Sequence, residues 1–142
     1  MASLSTYDVG KKDYEGRRYN DDIAAAIEGM QLLLAPIRAE QARLRNNKKK
    51  EWNPRLVLTL GNHEHRILRA INADPKLEGT IGLNDLRYEE FGWEVIPYLN
   101  TVTIDGVAYS HFFTTGSMGR PVTSARALAM KKHMSCSMGH VQ

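Results

Sequence analysis

The stretch Arg55–Arg66 reads RLVLTLGNHEHR, and its reading decides the fold class. Leu56, Val57, Leu58 and Leu60 make a short, almost unbroken apolar run closed by Gly61. A run of that length, rich in branched residues, predicts a strand buried on both faces. Gly61 frees the backbone to turn. Asn62, His63 and Glu64 then set an amide oxygen, an imidazole and a carboxylate at the strand's carboxyl end. In open α/β sheets that end is where ligands bind. From His65 the apolar spacing becomes helical, through Ile67, Leu68 and Ile71. Strand, polar turn, helix: the order predicts a site in an α/β domain.

Upstream, residues 1–19 are polar and aperiodic and read as a loop. From Asn20 the pattern is helical and runs to about Lys50, with Asn20 or Asp21 as the expected N-cap. Ile23, Ile27, Met30, Leu34, Ile37 and Leu44 fall on one face. Pro36 removes a backbone donor and crowds the preceding turn, which predicts a bend or a second helix start. The segment ends in RLRNNKKK, Arg43–Lys50, followed by Glu51 and Trp52. Arg45, Lys48, Lys49 and Lys50 could contact phosphates of a nucleic acid, with Trp52 as a stacking platform. The plainer reading is a solvated helix end whose cations complement the helix dipole.

Downstream, Asp74, Pro75 and Gly79 mark a loop, Leu83–Tyr88 a short helix, and Phe91–Pro97 a strand ended by proline. Thr101–Ile104 and Val107–Ser110 flank Asp105-Gly106, a strong hairpin signal. A Gly-rich loop over Thr114–Pro121 leads to a helix over Ala125–His133, capped by Thr123 or Ser124. Ser135–Met138 predicts a last strand, before Gly139-His140-Val141-Gln142.

The 142 residues suffice for one domain with a sizeable core. An apolar fraction of 42% with 25% charged residues is ordinary for a globular protein. The net charge of +3 permits weak attraction to phosphates without requiring it. The single cysteine, Cys136, excludes an internal disulfide and suits a reducing compartment. No apolar stretch reaches bilayer-spanning length and the N-terminus lacks a secretory pattern, so a cytoplasmic location and no membrane contact are expected.

Three places now share one form, a strand terminating in a metal-capable side chain: Asn62-His63 after Leu60, His111 after Tyr109-Ser110, and His140 after Met138-Gly139. Neutral imidazole is the commonest metal ligand, and an amide oxygen suits harder divalent ions. His65 and His133 fall on predicted helices and are weaker candidates. There is no His-Glu-x-x-His helix for a zincin-type protease, and Ser110 lacks a nucleophile-elbow glycine pattern.

Gly61-Asn62-His63-Glu64, then His111 in its Tyr109-Ser110-His111 context, then Gly139-His140-Val141-Gln142 resemble the later motifs of the calcineurin-like metallophosphoesterases, with a general style similar to phage-encoded members. That family carries, in order, Asp-x-His, Gly-Asp-x-x-Asp, Gly-Asn-His-Asp/Glu, a lone His and Gly-His-x-His. The resemblance covers the chain from about Leu56 onward. It implies part of a four-layer α/β/β/α sandwich, a single partial domain over residues 1–142 lacking the first strands and the end of the second sheet. The implied activity is hydrolysis of a phosphomonoester or phosphodiester by metal-activated water, with nucleic acids and nucleotides among the implied substrates. Asn62, His111 and His140 would ligate one ion of a two-metal pair of Mn²⁺, Fe, Zn²⁺ or Mg²⁺. His63 would act on the scissile phosphate as general acid or transition-state stabiliser, and Glu64 would orient His63. Gln142 stands where the family has a histidine ligand to the other metal.

The sequence departs from the family pattern at its start. No Asp is followed two residues later by His, and no Gly-Asp-x-x-Asp occurs. Two dications about 3.5–4 Å apart need a bridging carboxylate to offset their repulsion, and the family takes it from the second of these motifs. The expectation is therefore an incomplete phosphoesterase with little or no activity by itself, prone to association through unpaired strand edges. Two other classes remain open: a non-catalytic basic nucleic-acid-binding module, and a mononuclear metal protein using Asn62, His111 and His140.

Overall fold

Helix-period and strand-period segments alternate as the sequence predicts, and the result is a mixed α/β structure. In order it contains helix α1 (Tyr19–Asn46), strand β1 (Val57–Thr59), helix α2 (Asn62–Ala73), strands β2 (Glu94–Ile96), β3 (Val102–Ile104), β4 (Val107–Ser110), β5 (Thr114–Thr115) and β6 (Arg120–Pro121), helix α3 (Ala125–Lys132) and strand β7 (Ser135–Met138). The computed structural model describes residues 2–6, 9, 18–115 and 119–140. Most of the loop expected over 1–19 lies outside them. The strands form two small sheets, β1-β2 and β3-β4-β7, and a short ribbon, β5-β6. Contacts divide the chain into two units: Met1–Leu56 with Arg66–Glu94, and Val57–His65 with Val95–Gln142.

In the first unit α1 is a single 28-residue helix that continues through Pro36 rather than restarting there. Pro36 costs a backbone hydrogen bond, but apolar anchors flank it. Leu34, two residues before, is only 1% exposed, and Ile37 is half-buried on the same side. The helix starts earlier than its capping residues predict. Arg18 is the N-cap without a side-chain bond, and Asp22 instead accepts from the Ser3 backbone N–H (2.8 Å) and hydroxyl (2.7 Å). Tyr19 fixes this end from the other side, donating its hydroxyl to Asp85 Oδ2 at 2.7 Å. Burial, reinforced by that carboxylate, pushes the Tyr19 hydroxyl pKa well above its ordinary value. At the far end Asn47 caps through its N–H and its side-chain amide, both donated to the Arg43 carbonyl. Gln41 then holds the returning chain, donating to the Trp52 carbonyl (3.2 Å) and to Asn53 Oδ1 (3.1 Å).

The second unit is built on the Asp105-Gly106 hairpin. Asp105 (φ 49°) and Gly106 (φ 79°) both take the left-handed conformation that a two-residue hairpin turn demands. Val102 then pairs with Tyr109 and Ile104 with Val107, antiparallel. Strand β7 adds to the other edge of β4 in parallel, with Ser110 opposite Met138. A parallel neighbour needs a crossover, and the intervening segment carries α3, N-capped by Ser124, which accepts from the Ala127 N–H. Ala108, Phe113, Val122 and Leu128 form the core here, with Ala127, Cys136 and Met138 against it.

Three further expectations change. Residues 57–59 are half-buried rather than enclosed on both faces, and only Leu60 and Gly61 at the end of the run are buried. Helix α2 starts at Asn62, not His65, because the His65 N–H already bonds the Gly61 carbonyl (3.1 Å). Glu64 meanwhile takes the Gly61 N–H (2.8 Å) in the manner of a capping side chain. The Thr114–Pro121 loop contains the β5-β6 ribbon, with Thr115 opposite Arg120.

Candidate metal-ligand cluster

Two of the expected ligands are brought together by strand pairing. Because β4 and β7 are parallel neighbours with Ser110 opposite Met138, His111 and Gly139 follow at the same edge, and His140 one residue beyond. The His111 carbonyl accepts both the Gly139 N–H (3.2 Å) and the His140 N–H (3.1 Å), which ties the two segments after the strands end. The third ligand arrives from the first turn of α2.

The side chains converge on His111. Its Nε2 lies 3.0 Å from Asn62 Oδ1 and 3.0 Å from His140 Nδ1. Hydrogen bonding cannot satisfy both contacts fully. An imidazole nitrogen carries one proton or one lone pair. Protonated, Nε2 has one hydrogen to offer to two acceptors. Unprotonated, it can accept from His140 but meets the Asn62 oxygen lone pair to lone pair. With the amide turned over, its NH₂ and the His140 N–H compete for one lone pair. A cation would use all three atoms as ligands at once. One amide oxygen and two imidazole nitrogens are donors that suit a divalent ion, and each outer donor lies 3.0 Å from His111 Nε2.

Burial and charge both disfavour protonation of the central ring. Burial first, and the neighbouring His140 and His63 next, push the His111 pKa below its ordinary value, while Glu64 pulls the other way. His63 is exposed on the first turn of α2, and Glu64 is half-buried there. Gly61 is the closest-packed position of the group. A Cβ at Gly61 would meet Glu64 Oε2 at 3.0 Å and the His111 ring at 3.1 Å. The residue is needed for close approach, not for a turn conformation.

Gln142 lies outside the described residues. Among the described residues no group of three or more His, Cys, Asp or Glu side chains could hold a metal, so the cluster depends on the Asn62 amide as its third member. In the basic segment, Arg45 lies 3.7 Å from Glu51, and its neighbours are engaged as well. Arg43 forks onto Glu40 at 2.7 Å, and Arg55 onto Glu94 at 2.8 and 2.9 Å. Lys48, Lys49 and Lys50 are exposed.

Sequence reasoning passed over Tyr98. It follows β2 and the strand-ending Pro97, and its ring touches those of His65, His111 and Phe112. The signal was the same one that picked out the other members, a functional side chain just past a strand's end. Comparison of the chain with protein-family models, with curated proteins and with solved structures finds no match. No helix among the described residues is long and apolar enough to cross a membrane.

Proposed function

We propose that the chain holds a divalent metal ion through Asn62, His111 and His140. We propose further that it serves hydrolysis of a phosphomonoester or phosphodiester in the manner of the calcineurin-like metallophosphoesterases, as part of their four-layer sandwich. The observation that carries the reading is the convergence of Asn62 Oδ1 and His140 Nδ1 on His111 Nε2, at 3.0 Å each. The motif order Gly-Asn-His-Glu, His, Gly-His supports the same reading.

A divalent ion such as Mn²⁺, Fe, Zn²⁺ or Mg²⁺ would supply Lewis acidity toward a phosphoryl oxygen and toward water. The chain's own groups do the rest. Neutral His111 keeps its lone pair available, as its lowered pKa favours. Glu64 spends one carboxylate oxygen on the Gly61 N–H, which fixes the turn that presents Asn62 and His63. His63, exposed beside this group, is the proton donor for a departing alkoxide. The sequence contains no bridging carboxylate motif, so turnover by this chain is expected to be weak or absent.

The test is calorimetric titration with Mn²⁺, paired with turnover of a generic phosphodiester. Binding lost in His111→Ala supports the site, and no binding at millimolar Mn²⁺ sinks it. Robust turnover abolished by His63→Ala would overturn the expectation of weak activity. A second reading, a mononuclear metal protein without catalysis, is favoured by the ligands forming one cluster. One ion per chain with no turnover under any metal selects it. A nucleic-acid-binding module draws less support, because the arginines of its segment are engaged by carboxylates.

A further inference from the structure

We infer that Tyr98 is a positioning residue for the ligand cluster, acting by ring packing in place of the usual hydrogen bond; the inference rests on the metal-site reading above. Ligating histidines ordinarily donate their second nitrogen to a carboxylate or carbonyl, which fixes ring orientation. Here the side-chain hydrogen-bond contacts of His111 and His140 among the described residues are made by the converging nitrogens themselves. Rotation of an imidazole about its outer torsion is intrinsically soft, so something else must hold the rings.

The rings are held by other rings. Tyr98 stacks on His65 with centroids 4.4 Å apart and planes at 23°. Its ring also touches His111 at 5.8 Å and meets Phe112 edge-on at 5.9 Å. Phe112 in turn touches His111 at 5.7 Å and His140 at 5.0 Å. Such offset and edge contacts lie within the range of favourable aromatic pairing. Tyr98 has a particular place in this chain of contacts. His65 is three residues from Asn62 on the same helical turn, so Tyr98 spans from the element that carries Asn62 to the ring of His111. It sets the spacing between two ligands that share no strand pairing. His65 accordingly acts through Tyr98, although its own Nδ1 is buried without a hydrogen-bond partner among the described residues.

The experiment is calorimetric titration with Zn²⁺ alone, on the whole chain, of wild type, Tyr98→Leu, Tyr98→Phe, His65→Ala and His111→Ala. Zn²⁺-induced shifts of the imidazole resonances are read in parallel by NMR. Tyr98→Leu is expected to weaken Zn²⁺ affinity about tenfold, the lower end for orienting partners of a metal ligand. Tyr98→Phe keeps the ring and is expected to stay within about twofold of wild type. His65→Ala, which leaves Tyr98 and the ligands in place, is expected to weaken binding several-fold, so the inference does not depend on Tyr98→Leu folding. Wild-type affinity in both Tyr98→Leu and His65→Ala, with binding lost in His111→Ala, would overturn the positioning role alone. Equal weakening in Tyr98→Phe and Tyr98→Leu would also overturn it, by pointing to the hydroxyl. Wild-type affinity in His111→Ala would instead remove the metal-site reading itself.

Discussion

Gly61 lies against the ring of His111 so closely that a Cβ at residue 61 would stand 3.1 Å from its Cε1 and Nδ1, and 3.0 Å from Glu64 Oε2. The carboxylate end of Glu64 can swing away from an added methyl. The His111 ring is flanked by Tyr98, Phe112 and His140, so a shift of that ring disturbs the contact of its Nε2 with the Asn62 oxygen. Gly61→Ala is therefore expected to lower divalent-metal affinity about tenfold or more, as displacement of an orienting contact does. Gly61 does not have the left-handed φ that would strain an alanine, so the urea midpoint of the metal-free chain should change little. Calorimetry with Mn²⁺ beside urea unfolding separates the two effects.

Acid should destabilise the fold through His111. Burial, then the nearby His140, lowers its pKa below the ordinary 6.5, despite the opposing pull of Glu64. The unfolded chain therefore takes up this proton at a higher pH than the folded chain does. Through that window the unfolded state binds more protons, and stability falls as pH falls. Above about pH 6.5, where the imidazole is neutral in both states, the contribution is constant. Urea midpoints measured from pH 8 down to pH 5 should show the decline, and His111→Gln should flatten it relative to wild type. An unchanged profile in the variant would assign the acid sensitivity to other groups.

Much of this arrangement was legible in local chemistry. Asp105-Gly106 specified its hairpin because only a few residues accept two successive positive φ values. Ser135–Met138 was recognisable as a strand, and the strand-end positions of His111 and His140 could be marked without coordinates. The parallel pairing of β4 with β7 was not legible, because register between distant segments leaves no mark within either one. Tyr98 shares the strand-end position of His111 and His140, but that position alone does not tell what its ring meets. Its role consists of contacts with His65 and His111, which lie 33 residues before and 13 after it in the numbering. The start of α2 was misplaced because Asn62, His63 and Glu64 look like a polar turn, whereas the side chain of Glu64 closes the first helical turn on Gly61. At Pro36 the local rule allowed a second helix start, whereas α1 continues through it with Leu34 buried two residues before.

That outcome at Pro36 makes a prediction of its own. Helix α1 continues on both sides of an exposed proline, so Pro36→Ala restores a backbone donor and sacrifices no buried surface. It is expected to stabilise the chain by about 1–3 kcal/mol, within the cost of an interior proline relative to alanine. Leu34→Ala should do the reverse. Its side chain is 1% exposed, and truncation at such a site costs about 2–5 kcal/mol. Urea unfolding of both variants checks the pair, and a destabilised Pro36→Ala would show that the proline packs against something the helix needs.

The basic segment should bind nucleic acid weakly if at all. Arg43, Arg45 and Arg55 each have a carboxylate within 4 Å, from Glu40, Glu51 and Glu94, so contact with a phosphate would first cost them that partner. Lys48, Lys49 and Lys50 are exposed and positioned where the chain leaves α1. Three phosphate contacts release enough counterions for a log–log salt slope of about −3 on duplex DNA. The expected result is low affinity with a slope no steeper than that, falling toward zero when all three lysines are replaced by serine. Fluorescence anisotropy with a labelled duplex from 20 to 200 mM salt measures it. A slope near −6 in the wild type would mean that the arginines abandon their carboxylates for phosphates, and would return the nucleic-acid reading to contention.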